Sequence, residues 1–153
     1  MLAIFYEAKG ELIKAQEILL DLFEDNPCDA QTVKRLVSLF RDMDMENEAI
    51  SILNKYIEQT QDDCEAWQQL ADIYCARQNF SKAMYCYEEI VSSQPRNYMI
   101  NLRYAECIYS SVKGQDSFEN LQLARKYFSH AAILKEGAVC IRALYGEIGR
   151  AHV

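Results

Sequence analysis

The chain has 153 residues, half of them apolar and a quarter charged, enough for one globular domain with a real core and inconsistent with a disordered tail. Five glycines and two prolines are too few for the turn-rich architecture of a β-sandwich or small barrel, so helices are favoured from the first count. A net charge of −7 repels phosphate backbones and anionic membrane surfaces, which argues against nucleic acid and lipid and leaves other proteins as the default partners.

Taken in chain order, the apolar residues recur with a period of 34. A partial unit over 1–29 carries Leu2, Ala3, Tyr6, Ala15, Leu19, Leu22 and Pro27. The unit 30–63 repeats the pattern at Val33, Leu36, Val37, Phe40, Ala49, Leu53 and Tyr56. Its clearest copy is 64–97, with Trp67, Leu70, Ala71, Tyr74, Ala83, Tyr87, Ile90 and Pro95. Offsets of 3, 4 and 7 within each half are the helix-face period, so each unit reads as two antiparallel amphipathic helices. Ala71 and Ala83 are small where the two helices cross, while Trp67, Leu70, Tyr74 and Tyr87 fill the space around them. Pro27 and Pro95 end one hairpin and begin the next, because proline lacks an N–H and fixes φ. Asp29, Asp62 and Ser81 are the predicted N-caps, with Asp62 and Glu65 at capping-box spacing.

The next unit, 98–137, keeps register in its first helix at Tyr104, Ala105 and Ile108. Its second helix carries Ala124, Phe128 and Ala131 seven residues late, which places an insertion near 111–118 with Gly114 and Asp116 as turn residues. That insertion is either a surface loop or a protrusion that touches a partner. Gly137 reads as a helix C-cap, and a further unit starts over 138–146 without being completed. Neither end shows a polar capping helix, so the chain is expected to be a piece of a longer array. The closing string 147–153, EIGRAHV, is also what a common sequencing adapter encodes, and a native end and an appended tail both stay open.

Chemistry is sparse. Cys28, Cys64, Cys75, Cys86, Cys107 and Cys140 stand singly, without C-x-x-C or metal-ligand spacing, and read as reduced core fillers; one redox-sensitive thiol is the alternative. His130 has no nucleophile or acid–base partner at workable spacing, and no glycine-rich phosphate loop is present. The sequence therefore predicts no enzyme, no cofactor and no metal. Its apolar runs fall well short of the roughly 18 to 20 residues that span a bilayer.

The residues from Trp67 to Pro95 resemble the tetratricopeptide-repeat family, which implies an all-α fold, a right-handed α-solenoid of helical hairpins. The inner groove of such arrays binds peptides, and by register it is lined here by Lys34, Gln69, Met99, Leu102, Arg103 and Tyr109. One subgroup clamps the C-terminal carboxylate of chaperone tails with five polar groups. Transfer by register puts those at Lys34, Ser38, Gln69, Met99 and Arg103, where only the first and last carry the expected charge. Met99, Leu102 and Tyr109 beside Arg103 instead have the composition of a protein interface.

The ordered strings EAWQQLADIY, FSKAMYCYEEIV, NLRYAE, ENLQLARKYF and IRALYG further resemble the family of second subunits of the endoplasmic reticulum membrane protein complex. That resemblance implies a non-catalytic scaffold on the cytosolic face of the endoplasmic reticulum, supporting insertion of tail-anchored and multi-pass membrane proteins. The implied partners are the other subunits of the complex, the membrane-embedded ones through their cytosolic parts, and a second soluble subunit. An adaptor or co-chaperone that holds a peptide in its concave groove is the alternative.

Overall fold

The computed structural model describes residues 2–112 and 117–135. Gly114, Asp116, Gly137, Cys140, the further unit at 138–146 and the 147–153 string lie outside the described residues. The described elements are eight helices: α1 (Leu2–Ala8), α2 (Leu12–Asp25), α3 (Ala30–Asp42), α4 (Glu46–Gln59), α5 (Cys64–Ala76), α6 (Phe80–Ser93), α7 (Tyr98–Ser111) and α8 (Ser117–Leu134).

Turn chemistry reproduces the period. Gly10, Asp44 and Gln78, each 34 apart, hold positive φ values of 76°, 57° and 57° in the turns that follow α1, α3 and α5. At each, two backbone bonds close the helix end: Gly10 N–H to Glu7 O and Glu11 N–H to Tyr6 O, then Asp44 to Arg41 and Met45 to Phe40, then Gln78 to Cys75 and Asn79 to Tyr74. This is the Schellman pattern, which needs one left-handed residue. Glycine occupies that conformation freely and aspartate tolerates it, whereas a residue such as Gln78 is strained there.

The turns between hairpins repeat as well. Asp29 accepts hydrogen bonds from the N–H groups of Gln31 and Thr32, Asp63 from Glu65 and Ala66, and Asn97 from Met99. Each side chain satisfies donors that the first turn of a helix leaves without partners. The cap of α5 is therefore Asp63 and not Asp62, and Ser81 lies inside α6, whose N-cap position is Asn79 with no side-chain cap bond. The Thr32 hydroxyl, 2.6 Å from the Asp29 carboxylate, is the main cause holding that carboxyl below its usual pKa.

Two compact units divide at 66/67, within α5. In the first, α1 packs on α2, α2 on α3 and α3 on α4. Its core holds Ala15, Leu19 and Phe23 of α2, Leu36, Val37 and Phe40 of α3, and Ala49, Leu53 and Tyr56 of α4, all buried. Leu22, expected inside by register, is 46 % exposed, and Phe23 is buried in its stead. Tyr56 donates to Asp63 at 2.8 Å, and its pKa is pushed up to about 12 by burial first and by that carboxylate second.

The second unit packs α7 against both α6 and α8. Leu70, Ala71 and Tyr74 of α5, Ala83, Tyr87 and Ile90 of α6, and Tyr104, Ala105 and Ile108 of α7 are buried. The alanines 71, 83, 105, 124 and 131 are fully enclosed, which lets the helix axes approach. Trp67 is only half-buried, its ring edge-on to Tyr85 with centroids 5.9 Å apart. Pro95 lies in the turn between α6 and α7, where its carbonyl accepts from the Asn101 side chain at 3.0 Å.

The seven-residue offset in the last hairpin is not all loop. α7 runs one residue beyond the end that the period sets, and α8 gains a full turn ahead of Ala124. Ser111, Ser117 and Phe118, which the sequence placed in the insertion, are helical. Val112 stands where the period requires the left-handed residue, but its φ is −72°. A β-branched side chain is disfavoured in that region, so the tight turn does not form at Val112, and α8 starts at Ser117.

Candidate functional site

The first helices of the hairpins carry the residues that register assigns to a binding face. Lys34, on α3 in the first unit, is ion-paired with Glu65, and that hydrogen bond raises the pKa of its ammonium. Gln69, Met99, Leu102, Arg103 and Tyr109 lie in the second unit.

Within that second unit α5 and α7 are joined by two neighbouring rungs. Arg103 Nη1 donates to Asp72 Oδ1 at 2.9 Å, and Tyr87 of α6 donates to the same carboxylate oxygen at 3.3 Å. The guanidinium pKa is raised, first by the Tyr87 hydroxyl and then by Asp72, while burial drives the Tyr87 phenol well above its ordinary value. Both partners of the ion pair keep more than a third of their side chains in solvent, so the pair orients Arg103 more than it stabilises the fold. One turn further along both helices the thiols of Cys75 and Cys107 meet, with 4.0 Å between the sulfurs.

Met99 and Tyr109 are 42 % and 50 % exposed on α7, at opposite ends of that helix. Gln69 is half-buried on α5. Leu102 differs from the expectation: it is 4 % exposed and belongs to the core. The reason is the width of the buried stripe on α7, which takes in Ile100, Asn101, Leu102, Tyr104, Ala105, Cys107 and Ile108. Burying an aliphatic side chain gains about 1.5–3 kcal/mol, which outweighs the groove position that the repeat register assigned to it. Asn101 stands where Trp67 stands in the preceding hairpin, and its amide donates to Pro95 O at 3.0 Å and Asn97 O at 2.8 Å. Register reasoning missed this; a polar residue at a position where the repeat asks for bulk was the available signal.

Both clamp cations are ion-paired within the fold, Lys34 with Glu65 and Arg103 with Asp72. Of the cysteines expected as core fillers, Cys86 and Cys107 are buried, whereas Cys64 and Cys75 are partly accessible and Cys28 is exposed. Exposed His130 lies on α8 with Arg125 and Lys126 along an open hollow that ends at Ile133. Among the described residues no group of His, Cys, Asp and Glu is arranged to hold a metal, and no helix is long and apolar enough to cross a membrane.

The model of the EMC2 TPR-like repeat domain matches residues 1–124. The chain is similar to ER membrane protein complex subunit 2-B of Xenopus laevis, 36 % identical over 141 residues. That match covers 92 % of this chain and 46 % of the relative, so the chain spans about half the length of the relative it matches. Among solved structures, MamA superposes with a TM-score of 0.70 at 17 % identity, covering 94 % of this chain and 74 % of that one. A tetratricopeptide repeat protein from Parabacteroides merdae reaches 0.74 at 17 % identity, covering 95 % and 54 %. Likeness at that identity carries the fold, which is the all-α tetratricopeptide-repeat solenoid.

Proposed function

The chain belongs to the EMC2 TPR-like repeat family, and from that membership we propose that it is a non-catalytic scaffold segment of the endoplasmic reticulum membrane protein complex. Its work is to hold other subunits together: the cytosolic parts of membrane-embedded subunits and a second soluble subunit. It acts peripherally on the cytosolic face of the endoplasmic reticulum and supports insertion of tail-anchored and multi-pass proteins there. The observation that carries the reading is the family match over residues 1–124, joined by 36 % identity to a named subunit of that complex.

The chemistry of the chain is compatible with holding rather than reacting. Met99 and Tyr109 are exposed side chains of the kind that anchor protein interfaces, and Arg103 is oriented between them on α7. Gln69 is the other residue that register assigns to the partner-binding face of the second unit, with Leu102 buried in its core, and Lys34 is assigned by the same register to the first unit. The packing residues Trp67, Leu70, Ala71, Tyr74, Ala83, Tyr87 and Pro95 keep the hairpins in register and touch no partner in this reading.

The test is affinity purification of the tagged chain from a eukaryotic cell in mild detergent, with identification of the chains that co-purify. Recovery of the membrane complex subunits in near-equal amounts is expected; recovery of chaperones, or of no membrane protein, overturns the reading. Met99→Glu combined with Tyr109→Glu is expected to lower that recovery by about tenfold, the equivalent of roughly 1.4 kcal/mol, with the helical circular dichroism unchanged. Undiminished recovery would remove the α7 face from the proposal.

A further inference from the structure

The contact between Cys75 and Cys107 has no part in the scaffold reading. Their sulfurs lie 4.0 Å apart, van der Waals contact for two thiols, against the roughly 2.05 Å of a disulfide. The two residues belong to α5 and α7, the first helices of successive hairpins, and stand beside the Asp72–Arg103 pair that joins the same helices. Cys75 is partly accessible, whereas Cys107 is 3 % exposed.

We propose that Cys75 and Cys107 form a peroxide-responsive dithiol, in which Cys75 is the oxidant-facing thiol and Cys107 the resolving thiol. The arrangement of protons favours these roles. Cys107 lies 3.7 Å from the carbonyl of Phe80 and donates its S–H to that oxygen, while Cys75 donates its own to the Cys107 sulfur. When Cys75 ionises, the Cys107 proton can turn to it, so the pair keeps one proton on the buried sulfur and leaves the charge on the accessible one. The Cys75 pKa is accordingly lowered, chiefly by the bond with Cys107 and further by Arg103, against the opposing effects of burial and Asp72. Cys107 is pushed well up by the same bond and by burial. A partly accessible thiol in contact with a second, buried thiol is an arrangement that thiol redox sensors use.

The chemistry balances with hydrogen peroxide as oxidant. The Cys75 thiolate attacks one peroxide oxygen, the O–O bond breaks, and the departing hydroxide is protonated to water, leaving Cys75 as a sulfenic acid. Cys107 then attacks that sulfur, the S–O bond breaks, and a second water leaves with the Cys107 proton. Two thiols have given two electrons to one peroxide, and one S–S bond has formed. The bond ties α5 to α7 next to Arg103 and so stiffens the face that carries Gln69 and Met99. In a compartment buffered by glutathione such a link is transient and is reversed by thiol exchange.

The experiment exposes cells expressing the full chain to hydrogen peroxide, blocks free thiols with N-ethylmaleimide, and maps tryptic peptides without reduction. The expected product is peptide 56–77 linked to peptide 104–113, lost on treatment with dithiothreitol. Because peptide 56–77 also holds Cys64, fragmentation, or a Cys64→Ser background, must assign the link to Cys75. Cys107→Ala is expected to abolish the link and leave Cys75 trappable by dimedone as sulfenic acid. Cys75→Ser keeps a small polar group at the partly accessible position, guards against misfolding of the first variant, and is expected to abolish both products. Oxidation of wild-type Cys75 to sulfinic acid or a glutathione adduct while Cys107 stays free overturns the proposal. So does a peroxide response confined to exposed Cys28, or a link that joins Cys64 or Cys86.

Discussion

The hairpin α5–α6 and the hairpin α7–α8 are built from the same repeat and close in different ways. In the first, Gln78 accepts a left-handed backbone so that two hydrogen bonds end α5 and α6 starts at Phe80. In the second, Val112 does not take that conformation, α7 continues to Ser111, and α8 starts at Ser117 with an additional turn. Their packing is nonetheless matched: Ala83 and Tyr87 are buried in α6 as Ala124 and Phe128 are in α8. A helical repeat tolerates a change of turn when the second helix lengthens by whole turns, because the same face then still meets its neighbour.

The hardest way to break that correspondence is at the shifted aromatic. Phe128→Ala is expected to cost about 3–5 kcal/mol by leaving a cavity in the second unit, while Leu121→Ala, at the position the unshifted period would have chosen, costs far less. Comparable losses at both, measured by urea denaturation, would mean that α8 is not anchored through the late register. A smaller effect sharpens the repeated cap. Asp63→Ala should remove about 2–4 kcal/mol, because the N-cap bonds and the bond from the buried Tyr56 hydroxyl are lost together, and Asp62→Ala should stay within about 0.5 kcal/mol. Equal effects in thermal melts would deny the capping geometry at α5. The smallest change bears on the turn itself: Gln78→Gly is expected to stabilise by about 0.5–1 kcal/mol through relief of the left-handed strain. Val112→Gly should bring no such gain, because φ there is already negative.

Much of the fold was legible because a repeat states each rule several times. Ala15, Ala49 and Ala83 are wholly enclosed at the spacing read from the chain. Asp29 as a cap was also legible, and carrying it forward by one period would have led to Asp63 in place of Asp62. Ser81 misled because a serine ahead of an apolar run looks like a cap even when the helix has already begun at Phe80. Of the residues that register assigned to a binding face, Met99 and Tyr109 are exposed. Leu102 is not, since register gives the angle of a side chain around its own helix and not the depth of the neighbours over it.

By itself the sequence determined the period, the alternation of first and second helices, the small residues at their crossings and the family. Those features depend on residues a few positions apart or on identity repeated at a fixed interval. Only the tertiary structure decided that Arg103 pairs with Asp72, that Lys34 pairs with Glu65, and that Cys75 lies against Cys107. Each of these contacts joins helices about thirty residues apart in the chain. Whether two such side chains meet depends on how one hairpin's helix rotates and settles against the next, a packing choice that local spacing does not encode.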